Sequence, residues 1–156
     1  MIAKALYSSR SEEWQTPPEV YDALDREFNF TLDAAASAAN AKAPFYYDKQ
    51  ADALKRSWKR EDGGAVFVNP PYGKQIRKWV RKAYEESLKG QTVVMLIHAR
   101  TDTAWFHDWV YHKAEIRFLR SRLCFLNEFG EEQSRAPFPS MIVVYRGRDR
   151  QEEENV

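Results

Sequence analysis

The sequence has very little cysteine, almost no net charge and no long hydrophobic run. Its single cysteine, Cys124, excludes an internal disulfide and a zinc site built from several cysteines. No stretch reaches the length of a transmembrane helix, and the first residues lack the apolar core of a secretory signal. We therefore expect a cytoplasmic protein without a membrane anchor. Because the formal charge is only +1, any affinity for a nucleic acid must come from local basic patches.

The rest of the composition is that of an ordinary soluble domain. The 156 residues are close to the usual size of one domain, and 44% of them are hydrophobic while 30% are charged. Aromatic residues are plentiful at 14%, which fits either a bulky core or a site that holds a planar ligand. Polar, aperiodic stretches at about residues 1–12 and 147–156 predict flexible ends for a single domain that spans 1–156.

Between these ends, predicted strands and helices alternate. The sequence Thr16-Pro17-Pro18-Glu19 has the pattern of a helix start with Thr16 as its N-cap, and an apolar i, i+4 stripe follows it. Further helices are predicted at 51–58, 74–88 and 103–112, and strands at 30–33, 65–68, 92–97, 114–119 and 141–145. The alternation predicts an α/β fold with a mainly parallel sheet, in which the two final strands form an antiparallel edge.

Three polar segments follow strands of this predicted sheet. They are the residues from Asp33 onward, 69–73 and 98–103. Ligands of such sheets bind beyond the carboxyl ends of the strands, so the fold is expected to bring these segments together at one site.

The sequence Asn69-Pro70-Pro71-Tyr72, directly after a buried strand, is the most informative motif. The lone pair of an exocyclic amine on a nucleobase is delocalised into the ring, so a catalyst can help by accepting hydrogen bonds from both N–H groups. The Asn69 side-chain oxygen and the Pro70 carbonyl are two such acceptors, since proline fixes φ and donates no competing N–H. Tyr72 offers a ring for the base to stack on. A proline-rich surface turn is the alternative, but the flanking asparagine and tyrosine favour an amine clamp.

This motif and four other segments together resemble a known family. The segments are WQTP at 14–17, LDAAA at 32–36, NPPYG at 69–73, ARTDT at 99–103 and APFPS at 136–140. They resemble phage-type DNA N6-adenine methyltransferases, within the class of amino-group methyltransferases. The resemblance implies a Rossmann-like fold, S-adenosyl-L-methionine as cofactor, a flipped-out adenine in DNA as substrate, and the host-cell cytoplasm as the setting if a phage encodes the chain.

The resemblance also implies cofactor-binding roles near the first strand. Asp33 matches the acidic residue of the first cofactor motif, although Ala34 follows it in place of the usual glycine. Trp14 and Thr16 lie in the segment that closes over the methionine end of the cofactor. Helix capping by Thr16 and hydrophobic packing by Trp14 are the alternatives.

The first half of the predicted sheet is abbreviated. The chain between Asp33 and Asn69 is too short for the two strands and two helices that a full methyltransferase sheet has there. The acid that binds the cofactor ribose is therefore not fixed by position, and Asp48 and Asp52 are both candidates.

DNA binding requires basic side chains near the ligand edge. We expect phosphate contacts from Lys74, directly after the clamp, and from a cluster of Arg117, Arg120 and Arg122. The basic stripe at 77–82 on the second long helix is more typical of a solvated helix face.

Arg100 and Asp102 are further candidates for contact with the substrate. They come just after a buried strand, where Arg100 could meet a phosphate beside the flipped nucleotide. Helix capping by Thr101 or Asp102 explains this segment equally well. The long irregular segment at 119–140 is the expected source of sequence preference.

Two broader alternatives remain open at this level. The same clamp could act on cytosine N4, on an RNA base or on a glutamine amide. A non-catalytic nucleic-acid-binding protein with a decayed methyltransferase fold is the other alternative, and the missing glycines motivate it. No metal site is expected, because His98, His107 and His112 have no spacing that places them on a shared face. The sequence specifies neither the oligomeric state nor the DNA recognition site.

Overall fold

The structure is a computed structural model that describes residues 14–37 and 39–148. Its strands are β1 (Phe30–Asp33), β2 (Phe45–Tyr46), β3 (Ala65–Val68), β4 (Val93–His98), β5 (Glu115–Phe118) and β6 (Ser140–Tyr145). Its helices are α1 (Pro18–Phe28), α2 (Ile76–Leu88) and α3 (Ala104–Trp109), and Ala53–Lys55 form a 3₁₀ turn. The six strands make one sheet with the order β2-β1-β3-β4-β6-β5.

The sheet is parallel over four strands and antiparallel at one side. Strands β2, β1, β3 and β4 run parallel, whereas β6 runs antiparallel to its neighbours β4 and β5. The predicted α/β fold with a mainly parallel, Rossmann-like sheet and an antiparallel edge is therefore confirmed. In this arrangement the carboxyl ends of β1, β3 and β4 lie at one edge of the sheet, together with Ser140 at the start of β6, which pairs with His98.

Alternating residues of the central strands build a core on each face of the sheet. On one face, Val66 and Met95 belong to a cluster with residues of α2 and α3. On the other face, Phe67 and Leu96 belong to a cluster with residues of α1 and with Phe125. All residues of β3 and β4 are buried, because these strands lie in the middle of the sheet with both faces covered.

Three local predictions are wrong in detail. Thr16 is not an N-cap: α1 begins at Pro18 without a side-chain cap, because tertiary contacts described below engage the Thr16 hydroxyl. The helix predicted at 51–58 is only the 3₁₀ turn. The third helix ends at Trp109, and its cap is Thr103, whose Oγ1 accepts a hydrogen bond from the Phe106 N–H, rather than Thr101 or Asp102.

Strand β2 was not predicted from the sequence. It has only two residues, and both side chains are exposed at the sheet edge, so it has no hydrophobic periodicity to detect.

The expected flexible ends fall mostly outside the described residues, namely at 1–12 and 149–156. Gly147 and Arg148 are described. The Gly147 N–H donates to Thr92 Oγ1 at 3.1 Å, and the Arg148 N–H donates to the Ser87 carbonyl at 2.9 Å. Among the described helices, none has the length and apolar composition needed to cross a membrane.

Candidate active site

A cavity of about 550 Å³ opens at the carboxyl edge of the parallel strands. Its walls come from the turn after β1, the end of β3 and its following loop, the segment 47–53, and the residues just before α1. Of the residues predicted for the site, the cavity is lined by Trp14, Thr16, Asp33, Ala34, Asp48, Asp52, Asn69 and Pro71. The fold therefore brings together segments that are far apart in the sequence.

Asp33 lies at the floor of this cavity, at the end of β1. Its side chain is buried, and its two oxygens accept hydrogen bonds from the backbone N–H groups of Ala35 at 3.3 Å and Lys42 at 3.2 Å. Burial raises the pKa of the Asp33 carboxyl to about 6, and these N–H groups offset only part of that effect. The cavity thus contains an oriented acidic group whose ionised form would be stabilised by a cationic ligand.

The alanines after Asp33 form a turn that does not require glycine. The Ala34 N–H donates to the Phe67 carbonyl and the Ala36 N–H donates to the Tyr47 carbonyl, both at 3.0 Å. None of residues 34–36 has a positive φ, so the Cβ of alanine is compatible with this backbone. Alanine therefore stands in place of the usual glycines here without a strained φ angle.

Asn69 follows β3 and is held by the segment that precedes α1. Its Nδ2 atom donates hydrogen bonds to the Trp14 carbonyl and to Thr16 Oγ1, the latter at 3.0 Å. With the amide nitrogen fixed in this way, the Oδ1 atom is directed elsewhere. Oδ1 is buried and accepts no hydrogen bond from the described residues. An unpaired buried acceptor costs about 1–3 kcal/mol, so such an atom in a residue of the cavity wall calls for a specific explanation.

The segment before α1 is itself held from the other side. Gln15 and Leu126 exchange backbone hydrogen bonds of 3.1 and 3.0 Å. The Trp14 ring packs edge-on against Phe125 and Phe138, with centroids 5.6 and 5.4 Å away. The irregular segment between β5 and β6 therefore supports the residues that orient Asn69.

Tyr72 lies beside the cavity rather than in its wall. Its hydroxyl donates to the Leu96 carbonyl at 3.2 Å, and burial raises the pKa of this phenol. The ring centroid is 4.8 Å from that of His98 and 5.5 Å from that of Phe138. Pro70 is buried and, like Tyr72, does not line the cavity. The clamp motif therefore divides into Asn69 and Pro71 at the cavity and Tyr72 next to it.

Both candidate ribose ligands reach the cavity, but their settings differ. Asp48 is partly buried, and its Oδ1 accepts a hydrogen bond from the Ala51 N–H at 2.8 Å. Asp52 is exposed and forms a 3.6 Å ion pair with Lys55. Asp48 is thus oriented by the backbone, whereas Asp52 has a competing cation.

The cavity also contains residues that sequence reasoning missed. Lys42 and Tyr47 line it from the segment around β2, where no periodicity marks them. Trp79 lines it from α2 and is only 9% exposed. Its i, i+3 spacing from Ile76 on the apolar stripe of that helix would have identified Trp79 as inward-facing.

Four of the predicted DNA contacts are exposed cations outside the cavity. Among the described residues, no ion pair or side-chain hydrogen bond engages Lys74, Arg100, Arg120 or Arg122. Asp102 is also exposed, in the turn before α3.

Arg117 contradicts the sequence interpretation. Its guanidinium donates two 2.7 Å hydrogen bonds to the Glu27 carboxylate and lies over the Phe28 ring. These contacts hold it at the end of α1, away from the ligand edge, so it belongs to a structural ion pair and not with Arg120 and Arg122.

The basic stripe of α2 is partly neutralised. Arg81 pairs with Glu85 at 2.7 Å and Lys82 pairs with Glu86 at 2.6 Å. Within residues 14–37 and 39–148, no group of three or more His, Cys, Asp or Glu side chains is arranged to hold a metal ion.

Comparison with known proteins identifies similar chains. The family model of DNA N-6-adenine-methyltransferase (Dam) matches residues 4–154. A DNA N-6-adenine-methyltransferase of Haemophilus phage HP1 is 31% identical over 141 residues, which are 88% of this chain and 80% of the phage protein. A DNA N-6-adenine-methyltransferase of Escherichia phage T1 is 34% identical over 111 residues, which are 70% of this chain and 45% of that protein.

Proposed function

The chain belongs to the DNA N-6-adenine-methyltransferase (Dam) family, and on that basis we propose that it transfers a methyl group from S-adenosyl-L-methionine to the N6 amine of adenine in DNA. One observation above all supports this proposal. The Oδ1 atom of Asn69 is buried, lacks a hydrogen-bond partner among the described residues, and belongs to a residue that lines the same cavity as Asp33. An N–H or O–H donor would satisfy such an acceptor, and the exocyclic amine of adenine is a donor of this kind.

The residues of the cavity fit the proposed cofactor. A volume of about 550 Å³ lies within the usual range for small-molecule sites. The Asp33 carboxylate suits the cationic amine of the methionine end, and the small side chains of 34–36 let that end approach the backbone. When bound, S-adenosyl-L-methionine supplies an electrophilic methyl group on a sulfonium. Trp14 and Thr16 close the cavity beside Asn69.

The chain's own residues would activate the amine by orientation. Asn69 Oδ1 and the Pro70 carbonyl each accept an N–H of the amine, which directs the nitrogen lone pair out of the ring plane. Because Nδ2 of Asn69 already donates to the Trp14 carbonyl and Thr16 Oγ1, its oxygen remains the acceptor for the amine. The target adenine leaves the DNA stack and packs against Tyr72, and its extra proton passes to water after transfer.

We assign the ribose contact to Asp48 rather than to Asp52. The Ala51 N–H fixes Asp48 at the cavity, whereas Asp52 is exposed and paired with Lys55. Asp48→Asn is expected to weaken cofactor binding about tenfold or more in calorimetric titration, since a charged hydrogen bond is lost. Asp52→Asn serves as the matched control and should change the affinity by less than about threefold. A larger loss of cofactor affinity in Asp52→Asn than in Asp48→Asn would assign the ribose contact to Asp52.

DNA would dock on the exposed cations around the cavity. Lys74 follows the clamp, Arg100 follows β4, and Arg120 and Arg122 follow β5, so all four lie in segments after strands that end at the ligand edge. Their side chains have no competing carboxylate among the described residues. We propose Asp102, two positions after Arg100, as a further contact with the substrate. With phage relatives, the host-cell cytoplasm is the proposed setting of the reaction.

The decisive experiment incubates the purified chain with labelled S-adenosyl-L-methionine and unmodified DNA, followed by mass-resolved nucleoside analysis. N6-methyladenine is the expected product. Asn69→Ala should abolish turnover but leave the calorimetric affinity for the cofactor within about threefold of the parent, because Asn69 acts on the amine.

Parallel incubations with RNA and with protein distinguish the other substrates. If the product is N4-methylcytosine, a methylated RNA base or a methylated glutamine, the proposed role of the clamp stands but the proposed substrate is wrong. A parent chain that neither methylates any of these nor binds the cofactor would instead be a nucleic-acid-binding protein with a decayed site.

A further inference from the structure

His98 lies next to Tyr72 and has no role in the mechanism above. It is the last residue of β4 and is only 7% exposed. Its ring stacks on one aromatic neighbour and is tilted against another. The ring planes differ by 31° from Tyr72, at 4.8 Å, and by 14° from Trp105, at 5.6 Å. His98 thus contacts both other rings, and we call this set of three rings the Tyr72 column.

Two residues of β4 restrain the Tyr72 ring. The hydrogen bond from its hydroxyl to the Leu96 carbonyl fixes the far end of the ring. His98 covers one face and so limits the tilt of the ring about that anchor. Phe138 meets Tyr72 and His98 at steep angles of 71° and 89°, so it borders the column without extending it.

The polar atoms around Tyr72 show that this region is not an ordinary core. Four buried side-chain atoms lack a hydrogen-bond partner among the described residues, and three of them are Asn69 Oδ1, His98 Nδ1 and Ser140 Oγ. His98 and Ser140 are directly paired across β4 and β6, so both atoms lie at the ligand edge. Native proteins leave few buried polar groups unpaired, and those exceptions call for a specific explanation.

We propose that His98 is a positioning residue for the reaction, which acts by holding Tyr72 in the plane against which the target base stacks. This inference rests on the proposed function. The base needs a stacking surface at a fixed angle. If the base tilts, the N–H groups of its amine move away from Asn69 and Pro70. His98 supplies this restraint through ring contact, so an aromatic ring of similar size should replace it.

The test compares His98→Ala with His98→Phe in the full chain. In His98→Ala, kcat is expected to fall about tenfold, since the stacking surface loses one aromatic contact, while the KM for DNA and the cofactor affinity stay within about threefold. In His98→Phe, kcat should recover to within about threefold of the parent. His112→Ala, at an exposed histidine between α3 and β5, is the matched control and should keep the kcat of the parent.

A second measurement follows Tyr72 directly. With ring-labelled tyrosine, the NMR signals of Tyr72 should shift in His98→Ala, where the neighbouring ring current is lost, and the ring should reorient faster. In His98→Phe the chemical shifts of Tyr72 should be closer to those of the parent than to those of His98→Ala. Thermal unfolding of each variant establishes that the kinetic assays are run on folded protein.

The outcomes separate this inference from the proposed function. An active parent with an unchanged kcat in His98→Ala, or an unshifted Tyr72 signal, overturns the positioning role alone. A His98→Phe variant as slow as His98→Ala also overturns it, because ring contact would then be insufficient. A parent that methylates no amine overturns both.

Discussion

Thr16 Oγ1 accepts a hydrogen bond of 3.0 Å from Nδ2 of Asn69, across 53 positions of sequence. Together with the Trp14 carbonyl it engages the amide nitrogen of Asn69, which leaves Oδ1 as the unpaired atom of the amide. Thr16 is 3% exposed, so water does not compete for this contact. A residue with the sequence pattern of a helix cap thereby restrains the orientation of the Asn69 amide.

Replacing Thr16 by valine should lower turnover because it removes this acceptor without changing the side-chain shape much. Nδ2 would keep only the Trp14 carbonyl, so the amide could rotate and Oδ1 would be less well placed. We expect kcat to fall about tenfold, and the unfolding free energy to fall by about 1–2 kcal/mol. Single-turnover kinetics and urea denaturation measure the two effects. Thr16→Ser, which keeps the hydroxyl, should remain close to the parent, and equal rates for the two variants would contradict this role.

Cofactor affinity should depend on pH through Asp33. Burial raises the pKa of this carboxyl to about 6 in the free protein. Between about pH 4 and pH 6 the folded chain therefore binds more protons at Asp33 than the unfolded chain, so this group makes the unfolding free energy fall as pH rises through that window. A cationic ligand binds the ionised form of Asp33. Below about pH 6 this carboxyl must first lose its proton, which costs part of the free energy of ligand binding.

The expected result is a cofactor affinity that is constant above about pH 7 and falls up to tenfold per unit below about pH 6. Calorimetric titrations from pH 5 to pH 8 measure it. Asp33→Asn should bind weakly at every pH, without this dependence. A parent affinity that does not change between pH 5 and pH 7 would show that Asp33 does not meet the cationic end of the cofactor.

The strands and the residues at their ends were predictable because burial leaves a strong local pattern. Ala65–Val68 form a strand with the predicted bounds, since all four side chains are apolar and buried. Asp33 ends one buried strand and Asn69 follows another, and the rule for parallel sheets was enough to expect both at one cavity. Tyr72, by contrast, was expected in the clamp but lies beside the cavity, because its hydroxyl is anchored on Leu96 in the neighbouring strand.

Other features depend on partners that no local pattern reveals. Arg117 resembles its neighbours Arg120 and Arg122 in sequence, yet Glu27 binds it from a helix 90 positions away. Lys42 does not belong to any hydrophobic pattern in the sequence. Its backbone N–H reaches Asp33 because the chain returns to the start of β2, which pairs with β1 in parallel.

The difference between Arg117 and its neighbours predicts different effects on DNA binding. If Arg120 and Arg122 contact phosphates, the double replacement by alanine should weaken binding to any DNA sequence and reduce the slope of log K against log salt by about 1.8. Arg117→Ala, the matched control, should leave the slope unchanged, because Glu27 and Glu115 already neutralise this cation. Fluorescence anisotropy at several salt concentrations measures both. If the parent, the double variant and Arg117→Ala all show the same salt dependence, Arg120 and Arg122 do not contact the DNA phosphates.

A glycine substitution in the alanine turn after Asp33 tests whether the proposed cofactor site is intact or decayed. Ala35 donates its N–H to Asp33 and has no positive φ, so glycine at this position would gain no conformation that the native turn needs. Ala35→Gly should lower the unfolding free energy by about 0.5–1 kcal/mol, since it adds conformational freedom to the unfolded chain. Cofactor affinity should stay the same or weaken slightly, as measured by urea denaturation and calorimetry on the same preparation. Tighter cofactor binding in Ala35→Gly would mean that the alanines obstruct the site, and the chain would then be better described as a family member that is losing its activity.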